Sequence, residues 1–195
     1  MPRDNTSDFY RQNAETYANR ARSLPKQQLD AFLAGLARGT AILELGCGGG
    51  QDSVYMLSQG FDVTPTDGSA ELATQAEALI GRPVRVMLFQ ELDADSAFDG
   101  VWAHASLLHV PRSELPDVFA RIRRALRPGG LLHASFKAGE AEGHDGFGRY
   151  YNYPSAEWLS ELLTKGGWRN IALSEYDGGG YDGKPTRWLT VSAQR

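Results

Sequence analysis

Ala41-Ile42-Leu43-Glu44-Leu45-Gly46-Cys47-Gly48-Gly49-Gly50 is the stretch that decides the fold. Residues 41–45 are mostly apolar and read as a short buried strand. The glycines at 46, 48, 49 and 50 then let the backbone turn tightly into a helix that begins near Gln51. Such a turn can hold a dinucleotide, a phosphate or another adenosine compound, and the number of glycines does not choose among them. The surrounding residues do. A dinucleotide rests its pyrophosphate on the helix N-terminus, yet Asp52 occupies that first turn and Glu44 precedes the first glycine by two residues, a pair better suited to a cation. The spacing is also G-x-G-x-G, where G-x-G-x-x-G would need glycine in place of Gln51. Asp67 follows the next strand-like run, which holds Phe61 and Val63. It lies ~20 residues beyond the loop, where a carboxylate can accept hydrogen bonds from both ribose hydroxyls.

These residues carry a family resemblance. Glu44-x-Gly46-x-Gly48-x-Gly50 followed by Asp67-Gly68-Ser69 resembles the class I S-adenosylmethionine-dependent methyltransferases. Phe98-Asp99-Gly100-Val101-Trp102-Ala103 is similar to that family's fourth strand, and Ala125-Leu126-Arg127-Pro128-Gly129-Gly130 to the turn into its fifth. The resemblance runs over roughly residues 8–195, and within the family the small bacterial proteins similar to the tellurite-resistance methyltransferase look nearest. It implies S-adenosyl-L-methionine as cofactor, with Glu44, Gly46, Gly48, Gly50, Asp67, Gly68 and Ala103 at its site. Phe89 and Gln90 stand where the family contacts adenine, although the aspartate common near that point is missing. Leading helices cover the cofactor in similar enzymes, which adds Tyr10 and Tyr17.

The chain has 195 residues, enough for one α/β domain, and its 42% hydrophobic content is ordinary for a globular protein. The expected organisation is one methyltransferase domain over 1–195, with N-terminal helices in 1–38 covering the cofactor and a Rossmann-like core in 39–195. A net charge of −4 leaves no general basic footprint, so a nucleic-acid substrate is not expected and a small-molecule acceptor is. Cys47 is the only cysteine, which excludes an intrachain disulfide and suits a small packed side chain in the loop. The N-terminus lacks the apolar run of a signal peptide and no stretch approaches ~20 apolar residues, so a cytoplasmic protein without a membrane anchor is expected. Composition and pattern are silent on oligomeric state.

Along the chain, Phe9, Tyr10, Ala14, Tyr17, Ala18 and Ala21 recur at helical spacing and predict one helix over 8–22, with Thr6, Ser7 or Asp8 as its N-cap. A second helix follows Pro25 and ends at Gly39. After the glycine loop, helix 51–59, strand 61–66 and a helix from Ser69 to Ile80 complete one βαβ unit. Further buried strands are expected at 84–87, 100–103 and 131–136. Segment 88–97 reads as a turn, and a helix from Ser113 to about Arg127 is stopped by Pro128-Gly129-Gly130. A helix over 155–165 and strands near 169–176 and 186–193 close the chain. The last two strands are joined by too short a link for a crossover helix, so they should pair antiparallel. The fold class is therefore α/β, a doubly wound Rossmann-like sheet, mostly parallel with an antiparallel C-terminal hairpin and helices on both faces.

Ligands in such a sheet bind beyond the carboxyl ends of the strands at the topological switch point. The loops gathered there supply His104 and His109, then Lys137, then the glycine-rich stretch 138–152, a long loop with Arg149. His104 or His109 can take a proton from an acceptor hydroxyl or amine, or merely position it. Lys137 and Arg149 can hold an acceptor that carries or develops negative charge, or pair with Glu140, Glu142 or Asp145 and order a lid. No metal site is expected, since His104 and His109 lack the i, i+4 spacing of two ligands on one helical face. Two other functions fit the same loop. One is a binding module that holds the cofactor without turnover; the other, a nicotinamide oxidoreductase, is disfavoured by Glu44, Gln51 and Asp52.

Overall fold

The computed structural model describes residues 5–195; the first four residues of the predicted 1–38 segment lie outside it. Two short helices lead, α1 (Asn5–Gln12) and α2 (Ala14–Ala18), where one helix over 8–22 was expected. The break falls at Asn13, whose side-chain amide donates to Phe9 O at 2.8 Å and so competes with the helical backbone pattern. Thr6, Ser7 and Asp8 sit inside α1 and not ahead of it. Helix α3 (Lys26–Ala34) stops at Gly35, short of Gly39; the chain passes so close to the sheet there that a Cβ on Gly35 would lie 2.5 Å from Leu131 Cδ1.

The alternation then follows: β1 (Ala41–Leu45), α4 (Gln51–Ser58), β2 (Asp62–Asp67), α5 (Ala70–Ile80), β3 (Arg85–Val86) and β4 (Phe98–Ala103). Ser69 caps α5 by accepting from Leu72 N–H, as its sequence position predicts. Between β3 and β4 the expected turn is a single 3-10 turn, Phe89–Glu91. Helix α6 (Leu115–Ala125) ends two residues earlier than predicted. Strand β5 (Leu126–Lys137) takes over because Leu126 pairs with Phe98, so Pro128-Gly129-Gly130 is an irregularity inside a strand. The stretch 138–152 is likewise a hairpin, β6 (Gly143–His144) against β7 (Tyr150–Tyr151), with Asp145 accepting the N–H groups of Phe147 and Arg149 at its tip. Helix α7 (Ala156–Lys165), β8 (Arg169–Gly179) and β9 (Pro185–Gln194) complete the chain.

The seven-stranded sheet has the order β3-β2-β1-β4-β5-β9-β8. β1 pairs in parallel with both β2 and β4, and β9 runs antiparallel to β5 and β8. Successive residues of β1 face opposite layers. Ile42 joins Leu29, Phe32, Met56 and Trp102 under α3 and α4, whereas Leu43 and Leu45 join Val118, Phe119 and Leu159 under α6 and α7. Burial on both faces is why these strands read as continuous apolar runs. The chain leaves β1 toward β3 and returns to β4 on the other side, which opens a crevice beyond the carboxyl ends of β1 and β4. Among the described residues no helix is long and apolar enough to cross a membrane.

Candidate active site

The glycine turn is anchored across to β2. The N–H groups of Gly46 and Cys47 both donate to Thr66 O, at 2.9 and 2.8 Å. Gly46, Gly48 and Gly50 have φ of 76°, 57° and 85°, a region that side-chain-bearing residues rarely adopt. A Cβ on Gly46 would also lie 2.6 Å from Ser106 Cβ, whereas a Cβ on Gly48 would meet only Tyr17 Cε1, at 3.5 Å. Gly48 therefore presents bare backbone to the crevice.

Asp67 closes the turn from the end of β2. Its carboxylate accepts from Gly48 N–H and Ser69 N–H, each at 2.9 Å. Burial pushes it up to about 6, against the pull of these backbone donors. A carboxylate has roughly four lone-pair sites, so two remain for hydroxyl donors. Gly68 follows, where a Cβ would meet Leu88 Cδ2 at 3.3 Å, and Leu88 is itself half exposed. Phe89 approaches from the same side, its Cζ 3.7 Å from the Gly46 Cβ position. Gln90 turns away and donates to Glu114 at the start of α6 at 2.6 Å. Leu88, which sequence reasoning passed over, thus supplies the apolar surface beside Asp67-Gly68.

The two carboxylates read as facing a cation are instead turned inward. Glu44 is buried behind the loop and accepts from Ser53 of α4; burial, then the charge of Asp52, raises it to about 8. Asp52 accepts from Arg22 at 2.5 Å and from the Trp102 indole N–H at 3.0 Å. Burial raises Asp52 while Arg22 opposes it. The pair ties residues 19–25 to α4, and Gln51 Nε2 adds a bond to Ala18 O at 2.9 Å. The N-terminal helices are thereby held beside the glycine turn, with Tyr17 Cε1 3.5 Å from the Gly48 Cβ position. Cys47 is buried and its thiol is pushed far up by burial, as expected of a packing residue.

A cavity of about 860 Å³ opens from Gly46 and Gly48 past Ala105 and His104, under Tyr10 and Tyr17. Clefts of ~300–1,000 Å³ hold drug-sized ligands, so this one has room for a small molecule beside the glycine turn; Asp67, Gly68, Leu88 and Phe89 lie outside its lining. Ala103 lies buried at the end of β4, just before His104. His104 is pushed down to about 3 and His109 to about 4, both chiefly by burial. His109 Nδ1 lies 2.6 Å from the carbonyl of Tyr150, which can only accept, so Nε2 accepts from Tyr10 OH at 2.8 Å. The two neutral imidazoles are weak bases near pH 7.

Lys137 projects from the end of β5 with Nζ 4.2 Å above the Tyr151 ring, and burial lowers its pKa. Arg149 is 1% exposed and makes two bonds to Asp145 Oδ2, at 3.0 and 2.7 Å. Its guanidinium sits 4.6 Å from the centre of the Phe9 ring and 4.8 Å from that of Tyr181, so it binds hairpin, α1 and the β8–β9 turn into one cover. Of the two cations grouped by sequence, Arg149 has its charge met within the cover. Arg22, Tyr181 and Trp188 also line the cavity. Arg22 and Tyr181 stand in a polar linker and a glycine-rich turn without periodic signal, and Trp188 lies in the predicted strand 186–193, whose pattern does not show which face meets a cavity.

The strand order, the glycine turn and the acid after β2 agree with the resemblance to the class I S-adenosylmethionine-dependent methyltransferases that the sequence motifs carry. Residues 43–134 match the family described as methyltransferase domain. The chain is 25% identical to the 1,6-didemethyltoxoflavin N1-methyltransferase of Burkholderia thailandensis, solved with 1,6-didemethyltoxoflavin and S-adenosylhomocysteine. That match covers 87% of this chain and 77% of that one, with a TM-score of 0.70. It shares its fold with an S-adenosylmethionine-dependent methyltransferase of Methanosarcina mazei at 21% identity and a TM-score of 0.76, over 90% and 99% of the two chains. The malonyl-[acyl-carrier protein] O-methyltransferase of Enterobacter lignolyticus is 32% identical over 56% of this chain and 44% of its own. Bacillus subtilis YqeM is 27% identical over 68% and 58%. The chain spans about half the length of the curated relatives it matches.

Proposed function

We propose that the protein is an S-adenosylmethionine-dependent methyltransferase, a single domain working in the cytoplasm on a small acceptor that carries or develops negative charge. The observation that carries the second half of this reading is Lys137. It is a half-buried cation at the mouth of the cavity that makes no salt bridge among the described residues; its Nζ lies over the Tyr151 ring, and Asp182 and Asp145 act on its charge only from beyond ion-pair distance. Leaving such a cation half desolvated is costly unless an anion or water meets it. The relatives' acceptors differ from one another, so none is carried over by name. The narrower likeness to the tellurite-resistance type rests on sequence motifs alone.

When bound, S-adenosylmethionine would supply an electrophilic methyl that bonds in line to the acceptor's lone pair as the C–S bond breaks, the electron pair staying with sulfur. The chain's part is alignment and exclusion of water. Gly46 and Gly48 offer backbone to the amino-acid portion, Asp67 takes the ribose hydroxyls, and Leu88 and Phe89 flank the base. Tyr10, His109 and Tyr150 form a hydrogen-bonded series that fixes the cover over the transfer point. His104 is read as a positioning group, because a neutral imidazole with so low a pKa accepts hydrogen bonds but removes protons poorly. Arg149, paired with Asp145, is read as ordering the cover and not as gripping the acceptor.

A module that binds cofactor without turnover would need no acceptor space, and the extent of the cavity beyond the glycine turn favours catalysis. The deciding experiment incubates the protein with isotopically methyl-labelled donor and a small-molecule extract and reads products by mass spectrometry. Labelled anionic products, with Lys137→Ala raising the acceptor KM and leaving donor affinity unchanged, are expected. A neutral acceptor whose turnover ignores Lys137→Ala refutes the anionic reading. Donor that binds but is never consumed favours the module.

A further inference from the structure

We propose that the acceptor is a planar aromatic or heteroaromatic molecule, stacked on a wall built by His104, Trp188 and Tyr176. The inference rests on the methyltransferase reading and adds the substrate class. It starts from register. Lys137 of β5 faces Trp188 of β9, and Trp188 faces Tyr176 of β8, so the three side chains stand in one row on one face of the sheet. His133 is four residues before Lys137 on the same strand and shares that face, as does its neighbour Trp102 in β4.

The rings in this region share one orientation. Trp102 and His133 stack at 4.0 Å with planes 13° apart, and His133 and His104 follow at 5.6 Å and 13°. His104 and Trp188 then lie 6.4 Å and 17° apart, and Trp188 and Tyr176 6.4 Å and 13°. The first two members are buried; His104, Trp188 and Tyr176 are half-buried and line the cavity. Aromatic rings add free energy to one another in offset stacks beyond the area they bury, so near-parallel rings at a cavity wall select a ligand that is itself flat.

The edge of this wall is kept bare by composition. On β8, Gly178 stands beside Trp188, two residues beyond Tyr176, and a Cβ on it would lie 3.0 Å from Trp188 Cδ1. Glycine thus keeps the indole uncovered where any other residue would press on it. The cationic Lys137 closes the row, which places the acidic group of the ligand at one edge of its ring and leaves the face for Trp188.

The test measures binding at the acceptor site of the full-length protein saturated with S-adenosylhomocysteine. The probes are naphthalene-2-carboxylate and decahydronaphthalene-2-carboxylate, both singly anionic at neutral pH and of like outline but flat against puckered, followed by other one- and two-ring aromatic acids with their saturated counterparts. The aromatic members should bind ~5–10-fold more tightly. Trp188→Ala should bring that preference to near unity while donor affinity holds, Trp188→Phe should keep most of it, and Gly178→Val should abolish aromatic binding. Equal affinities, no binding by any aromatic acid, or a preference that survives Trp188→Ala overturns the proposal. A failure of S-adenosylhomocysteine itself to bind would remove the methyltransferase reading instead.

Discussion

Cofactor affinity should depend on pH through Asp67. The carboxylate already accepts the N–H groups of Gly48 and Ser69, and burial pushes its pKa to about 6. Only the ionised form keeps lone pairs free for both ribose hydroxyls, because a proton occupies one oxygen and turns it into a donor. At pH 5, one unit below that pKa, about one carboxyl in eleven is ionised. S-adenosylhomocysteine should therefore bind ~10-fold more weakly at pH 5 than at pH 7.5, or ~1.4 kcal/mol. Asp67→Asn should remove the step and weaken binding at pH 7.5 by ~1–3 kcal/mol, since charge-assisted bonds are lost and one amide oxygen faces two backbone donors. Isothermal calorimetry at the two pH values, with circular dichroism to check that the variant is folded, decides the matter. Equal affinity at pH 5 and 7.5 in the wild type, or the same step in Asp67→Asn, would refute the assignment of Asp67 to the ribose.

Gly48→Val should abolish S-adenosylhomocysteine binding in calorimetry with only a modest fall in Tm. The new side chain projects into the crevice, where Tyr17 is its only near neighbour, and it resists the φ of 57°. Glu44→Gln should flatten the alkaline limb of stability. The folded-state pKa of Glu44 is raised to about 8, so its stabilising contribution is present below the ordinary carboxylate range and is lost as pH rises through 8. Between pH 7 and 9 urea unfolding should show the wild type losing on the order of 1–2 kcal/mol that the variant retains. Arg22→Ala leaves the buried Asp52 with the Trp102 indole N–H as its remaining side-chain donor, and thermal melts should show a loss of ~1–3 kcal/mol, about 2–12 °C for a chain of this length. A Tm unchanged within a degree would mean that the strap over α4 contributes nothing.

The fold was legible because its signals are local. An apolar run followed by closely spaced glycines has few conformations open to it, and the alternation of strand and helix forces crossovers and a parallel sheet around Ile42–Leu45. Asp67 was legible for the same reason, since it ends the strand beside the glycine turn. Departures arose where a local signal met a long-range partner. Leu126 left the helix because Phe98 offers it a ladder partner, and the glycine-rich 138–152 became a hairpin because Asp145 gathers the backbone of its own turn. Neither partner is near in sequence or periodic. Charge was the least legible property. Glu44 and Asp52 read as a cation site, yet burial, Ser53 and Arg22 absorb both; Arg149 read either as holding an acceptor or as pairing with Glu140, Glu142 or Asp145, and it is Asp145, four residues earlier, that meets it within a cage of rings. The sequence by itself determined the sheet, the glycine turn and the acid beside it, because those follow from backbone chemistry within a few residues. Which charges reach the cavity, and which rings wall it, was decided only when β5, β9 and β8 came into register and set Lys137, Trp188 and Tyr176 side by side, because desolvation and pairing depend on neighbours that are distant along the chain.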